Sequence, residues 1–184
     1  METVAILCCS PRSVYKKLTG VDCYDIHRDA RTFPGGKRVV AHPPCRPWSN
    51  KCRHQAKPEP GESELGLWCV EQVQKWGGVL EQPAHSHLWA VAGLPRPCSR
   101  PGWSAQGNSW SIEVWQAWWG YPMRKATWLY FCGVSPTEVN YPLRLHAAGA
   151  DMRREQLMSH AARSATTREF AEWLIDVARK AKTP

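Results

Sequence analysis

No stretch of this chain is apolar for long enough to cross a bilayer, which excludes a membrane span. The amino-terminal Met1-Glu2-Thr3 lacks both the basic start and the apolar core of an export signal, so the expectation is a soluble, cytoplasmic protein with no membrane partner. Internal repeats and low-complexity tracts are absent too, which excludes solenoids and disordered arrays. No two cysteines stand in the C-x₂-C spacing of zinc motifs. The eight cysteines fall at irregular intervals, with Cys8 and Cys9 adjacent, and without an export signal they read as reduced thiols rather than a disulfide framework. Acidic residues are few: 16 Asp and Glu against 24 Lys and Arg leave a formal net charge of +8, which points to phosphate-bearing partners.

What is present suits one domain. At 184 residues, 43% hydrophobic and 22% charged, the chain has the composition of a single globular unit that buries its core without staples. Eleven tryptophans are unusual. Trp110, Trp115, Trp118, Trp119 and Trp128 lie close in sequence, and core packing is the commoner use of such rings, with base stacking the alternative.

The pattern along the chain alternates. Val4 to Cys9 is an apolar run ended by Ser10-Pro11, a first buried strand, and Arg12 to Leu18 suits a short helix. Cys23 to Ile26 reads as a second strand and Val39 to His42 as a third, stopped by Pro43-Pro44. Leu65, Trp68, Cys69, Val73 and Trp76 share one face of a helix over Glu64 to Trp76, and Gly77-Gly78 ends it. Gly78 to Gln82 is then a fourth strand. Strand, helix, strand with short connections predicts a right-handed βαβ unit, with Cys45 and Glu81 at the same edge of the sheet. Ala84 to Asn108 looks irregular, Ser109 to Trp119 and Ala126 to Cys132 look like strands, and Thr166-Thr167-Arg168-Glu169 opens a C-terminal helix over about 167–182 with capping-box spacing. The predicted fold is a single α/β domain over 1–184, with its core in about 1–133: Rossmann-like, with a mostly parallel sheet flanked by helices.

Cys45 is the first candidate for chemistry. It follows two prolines at the carboxyl end of a strand, where open α/β sheets bind ligands, and Arg46, Lys51 and Arg53 favour its thiolate. A thiolate and a carboxylate in one pocket suit attack on an electron-poor ring, because the sulfur adds covalently while the carboxyl group handles a proton on the ring nitrogen. Pyrimidines react in this way at C6. Cys52, His54, His85 and His87 form a second group, read as loop polar residues rather than a zinc site, and no metal is expected. Arg46, Arg124 and Lys125 are candidate substrate phosphate contacts, and His85 and His87 candidate pocket residues.

Pro43-Pro44-Cys45, with Ser49 four residues on, resembles the catalytic loop of DNA cytosine-5 methyltransferases. Gly78-Val79-Leu80-Glu81-Gln82-Pro83 is similar to that family's glutamate-bearing strand, in the form common among phage members. Gly120-Tyr121-Pro122-Met123-Arg124-Lys125-Ala126-Thr127 resembles a segment of phage-encoded relatives. The resemblance spans about 22–133. It implies Cys45 as nucleophile, Glu81 as the residue that binds and protonates the base, and Ser49 as a substrate contact. Asp25 or Asp29 would contact the ribose of S-adenosylmethionine, and the substrate would be DNA or a nucleotide. Where the family has a glycine-rich turn after its first strand, this chain has Cys8-Cys9-Ser10-Pro11-Arg12-Ser13. The alternative expectation is therefore a non-catalytic nucleic-acid-binding protein that keeps the fold without the cofactor.

Overall fold

A computed structural model describes residues 2–49, 57–98, 103–142 and 164–182. Lys51, Cys52, Arg53 and His54 lie outside the described residues. Seven strands form one sheet: β1 (Val4–Leu7), β2 (Val21–Cys23), β3 (Val39–Ala41), β4 (Gly78–Pro83), β5 (Trp103–Gln106), β6 (Ser109–Trp115) and β7 (Ala126–Cys132), in the order β2-β1-β3-β4-β7-β6-β5. The helices are α1 (Glu62–Trp76), the single turn α2 (Leu88–Val91) and α3 (Arg168–Arg179).

The sheet is mixed, which corrects the expectation that it is mostly parallel. β2, β1, β3 and β4 pair in parallel, whereas β4 with β7, β7 with β6, and β6 with β5 pair antiparallel. Connection length is the cause. The β3–α1–β4 crossover is long enough to return the chain in parallel, but the links before and after β6 are too short for a crossover and fold the strands back as hairpins. β5 falls in the stretch read as irregular, since its partner β6 selects it more than its own short sequence does. The second strand begins at Val21 and ends at Cys23, earlier than expected, because the Asp25 side chain turns the chain by accepting from the His27 and Arg28 amides at 2.8 and 3.0 Å.

Each sheet face is covered. On one side α1 contributes Cys69, Val70 and Val73, which pack with Ala5, Leu7, Val39, Ala41, Leu80 and Tyr130. On the other, α3 lays Phe170, Ala171, Leu174, Ile175 and Ala178 over Val4, Ile6, Val40, Val79, Leu129 and Phe131. α1 ends at Gly77, whose φ of 76° allows its N–H to reach the Val73 carbonyl at 3.0 Å. α3 starts one residue later than the capping-box spacing suggested, with Thr167 accepting from the Phe170 amide at 3.3 Å. No described helix is long and apolar enough to cross a membrane.

The strand order positions the site. From β1 the chain steps to β2 on one side and then to β3 on the other, so the connections diverge between β1 and β3. Such a switch point opens a crevice at the carboxyl ends of the strands. Leu7-Cys8-Cys9 and Ala41-His42-Pro43 border it.

Candidate active site

The Cys45 loop is fixed from three directions. Gln82 on β4, 1% exposed, donates its side-chain amide to the Pro43 carbonyl. The Trp48 carbonyl accepts from the His87 amide at 2.9 Å. The Trp48 ring is buried against α1 at Gly66, where an added Cβ would stand 2.5 Å from the indole nitrogen, so only glycine leaves the ring its seat. Between these anchors the Cys45 carbonyl accepts from the Trp48 and Ser49 amides at 3.0 and 2.9 Å, and the closed turn leaves Cys45 exposed with Ser49 beside it.

Glu81 projects from β4 on the α3 face and meets His42, which continues β3 on the same face. Its carboxylate accepts from His42 Nδ1 at 3.0 Å and from Gln116 Nε2 at 3.2 Å, with side-chain exposures of only 13% for His42 and 15% for Glu81. A carboxylate can only accept, so Nδ1 carries the proton. His42 Nε2 then faces the hydroxyl of buried Tyr15 at 2.9 Å. Gln116 also donates to Thr127 Oγ1 at 3.0 Å, which sets its amide orientation. Burial alone would raise the Glu81 carboxyl pKa, but the His42 hydrogen bond and charge, Lys125 and Gln116 outweigh it and hold the group below its ordinary value. Glu81 is thus ionised at neutral pH.

Lys125 joins the two. Burial lowers its ammonium pKa, while Glu81 and Cys45 are both close enough to oppose that shift. Its Nζ donates to the Ala165 carbonyl at 2.9 Å and lies 4.8 Å above the Tyr121 ring. Among the described residues, three non-glycines have left-handed backbones: Cys8 after β1 (φ 61°), His85 after β4 (φ 65°) and Lys125 before β7 (φ 39°). All three stand at this one edge of the sheet, and backbone strain of this kind clusters at functional sites.

The other expected site residues divide. His85 is exposed, with its ring 5.2 Å from that of Trp128, and His87 is partly buried under the Cys45 loop. Arg124 lies 4.8 Å over the Trp115 ring at the end of β6, on the same edge. Arg46 is held by acids: its Nε bonds both Glu62 carboxylate oxygens, at 3.2 and 3.1 Å, and it pairs with Glu59 at 3.5 Å, while Cys45 is also close enough to act on its guanidinium. It pins the loop to the start of α1. Asp25 is buried against Lys16, whose hydrogen bond, with the two turn amides, holds its carboxyl down to about 2. Asp29 caps the 3₁₀ turn Ala30–Thr32 by accepting from the Arg31 amide at 3.0 Å. Asp22, on β2, is bonded by Arg28, Lys37 and Tyr24.

Sequence reasoning missed Tyr15, Gln116 and Thr127 and gave His42 no role. The available signal was polar residues continuing apolar strands in register: His42 two places after Val40, and Thr127 two before Leu129. Among the described residues no cluster of His, Cys, Asp and Glu could hold a metal ion. The tryptophans are mainly core, with Trp48, Trp89, Trp110, Trp119 and Trp128 all buried. The chain matches no protein-family model, no curated protein and no solved structure.

Proposed function

We propose that the chain is a pyrimidine-base-modifying enzyme, acting on DNA or a nucleotide by adding the Cys45 sulfur to the ring, in the manner of DNA cytosine-5 methyltransferases. The observation that carries this reading is the pair itself: an exposed thiol and an ionised, nearly buried carboxylate at one sheet edge, both acting on Lys125. In this reading the four parallel strands, with their order reversing at β1, are a Rossmann-like half sheet that carries the site.

The roles follow from the geometry. Lys125 favours the Cys45 thiolate, which adds to C6 of the base. The electron density gained by the ring is met at its nitrogen edge by Glu81, which accepts from the exocyclic amine of a cytosine and, being ionised, relays to the ring nitrogen a proton taken from His42 Nδ1, the His42 ring being held on its other side by Tyr15. C5 becomes nucleophilic and takes an electrophile. Loss of the C5 proton and departure of the sulfur then restore the ring.

S-adenosylmethionine is the donor implied by the resemblance, and the residues in its expected place do not fit it. Cys8 and Cys9 replace the glycines that let a backbone approach a cofactor, and Asp22, Asp25 and Asp29 are bonded within the protein instead of offered to a ribose. That mismatch favours the second reading, a non-catalytic nucleic-acid-binding protein. One experiment separates them: incubation with an oligonucleotide containing 5-fluorocytosine, with and without S-adenosylmethionine, followed by intact mass. A covalent adduct with the wild type, lost in Cys45→Ala, supports the enzyme. Binding without an adduct supports the non-catalytic module.

A further inference from the structure

The turn after β1 holds a feature that the proposed chemistry does not use. Cys8 and Cys9 lie on opposite faces of the sheet, because the left-handed backbone at Cys8 breaks the strand's alternation and leaves Cys8 on the α1 face with Leu7 and Cys9 on the α3 face with Ile6. On the α1 face, Cys8 Sγ lies 3.6 Å from Cys69 Sγ. On the α3 face, Cys9 lies in the apolar cluster against which Cys23, at the end of β2, also packs. Of the first two, Cys69 is buried and Cys8 is partly exposed.

We propose that this turn is a dithiol redox site, in which Cys8 and Cys69 are oxidised to a disulfide by hydroperoxides. The geometry suits thiol exchange better than metal binding, because Cys9 and Cys23 lie on the opposite face and the four sulfurs do not converge on one point. The sulfurs of Cys8 and Cys69 must close by about 1.5 Å to reach bonding distance. Cys8 stands on the turn after β1 with a left-handed backbone, whereas Cys69 lies within α1.

The chemistry balances without any other reagent. A partly exposed thiolate attacks the terminal oxygen of the hydroperoxide, the O–O bond breaks, and an alcohol or water leaves a sulfenic acid on that cysteine. The buried partner's sulfur then displaces the sulfenic oxygen, which departs as water with the partner's proton. Two thiols and one hydroperoxide give one disulfide, one water and one alcohol or second water.

The location gives the oxidation a consequence. Cys69 lies three residues after Gly66, on the same face of α1, and Gly66 is the seat of Trp48 in the Cys45 loop. A Cys8–Cys69 bond therefore ties the support of that loop to the end of β1.

The test is oxidation of the folded chain with hydrogen peroxide, alkylation of remaining thiols after unfolding, and peptide mapping by mass. The expected result is a loss of about 2 Da, with Cys8 joined to Cys69, reversed by dithiothreitol. The Cys8–Cys69 linkage raises Tm by roughly 5 to 15 °C. Cys69→Ser removes that linkage, whereas Cys23→Ser spares it. Absence of the Cys8–Cys69 linkage, with oxidation confined to exposed Cys45 and Cys98 or with Cys8 joined to Cys9, overturns the proposal. The outcome does not depend on whether Cys45 forms an adduct.

Discussion

The β3–β4–β7 corner and the β1–β2 corner share one sheet edge, yet they use their polar side chains in opposite ways. At the first, His42, Glu81, Gln116 and Thr127 form a chain of hydrogen bonds around a carboxylate, and the thiol beside it is exposed. At the second, every carboxylate is tied to a neighbouring cation or amide: Asp25 to Lys16, Asp22 to Arg28 and Lys37, Asp29 to Arg31. The acids near β2 are structural, whereas Glu81 is placed for chemistry. A motif search treats the two corners alike, because it sees an acid at a strand end in both. Only the partners distinguish them.

Substitutions sharpen that contrast. The largest expected effect is at the first corner: Cys45→Ala abolishes the 5-fluorocytosine adduct while leaving the melting curve unchanged, since an exposed side chain supplies little packing. Glu81→Gln keeps a hydrogen-bond acceptor for His42 but removes the charge, and adduct formation should slow by roughly 10² to 10⁴, as read by quenched time courses.

Gly66→Val tests whether Trp48 holds the Cys45 loop in place. The added methyls collide with the indole, and urea titration should show a loss of about 1–3 kcal/mol with a matching slowdown of the adduct. A stability loss with an unaffected rate would detach the loop's position from the site's activity.

At the second corner the effects should fall on stability alone. The Asp25 carboxyl is held at about 2 in the folded chain, below its unfolded value near ~3.9. Its contribution is thus fully present above the unfolded value and disappears as pH falls through the folded one. Melting points between pH 5 and 2 should drop more steeply for wild type than for Asp25→Asn. Asp29→Ala, which removes only a cap, should cost about 0.5–1 kcal/mol and leave the adduct rate unchanged. A rate loss in either Asp variant would move these residues into the site and erase the contrast.

Much of this fold was legible in the sequence. The parallel strands announced themselves as apolar runs stopped by proline or glycine, and the βαβ unit placed Cys45 and Glu81 at one edge. Glu81 proved to lie within β4 instead of at its end, because Pro83 still pairs with Thr127 on the antiparallel neighbour, which needs no N–H from it. In the antiparallel half β6 and β7 were legible as aromatic, β-rich runs, but β5 and the direction of pairing were not, since they depend on β6 and β4 as partners. The hydrogen-bond chain was hidden for the same reason: Tyr15, His42, Gln116 and Thr127 are far apart in sequence and meet only once β7 closes on β4. The acids that hold Arg46 were hidden as well, since Glu59 and Glu62 come thirteen and sixteen residues later and meet it only when the loop folds onto the start of α1.

The most direct measurement of the central claim needs no methyl donor. Reversible addition of a sulfur at C6 lets the C5 hydrogen of a cytosine exchange with solvent, so an oligonucleotide incubated with the protein in deuterium oxide should gain deuterium at C5. The account predicts exchange with wild type, greatly slowed exchange with Glu81→Gln and none above background with Cys45→Ala. Binding of the oligonucleotide without any C5 exchange, or exchange that survives in Cys45→Ala, would contradict it.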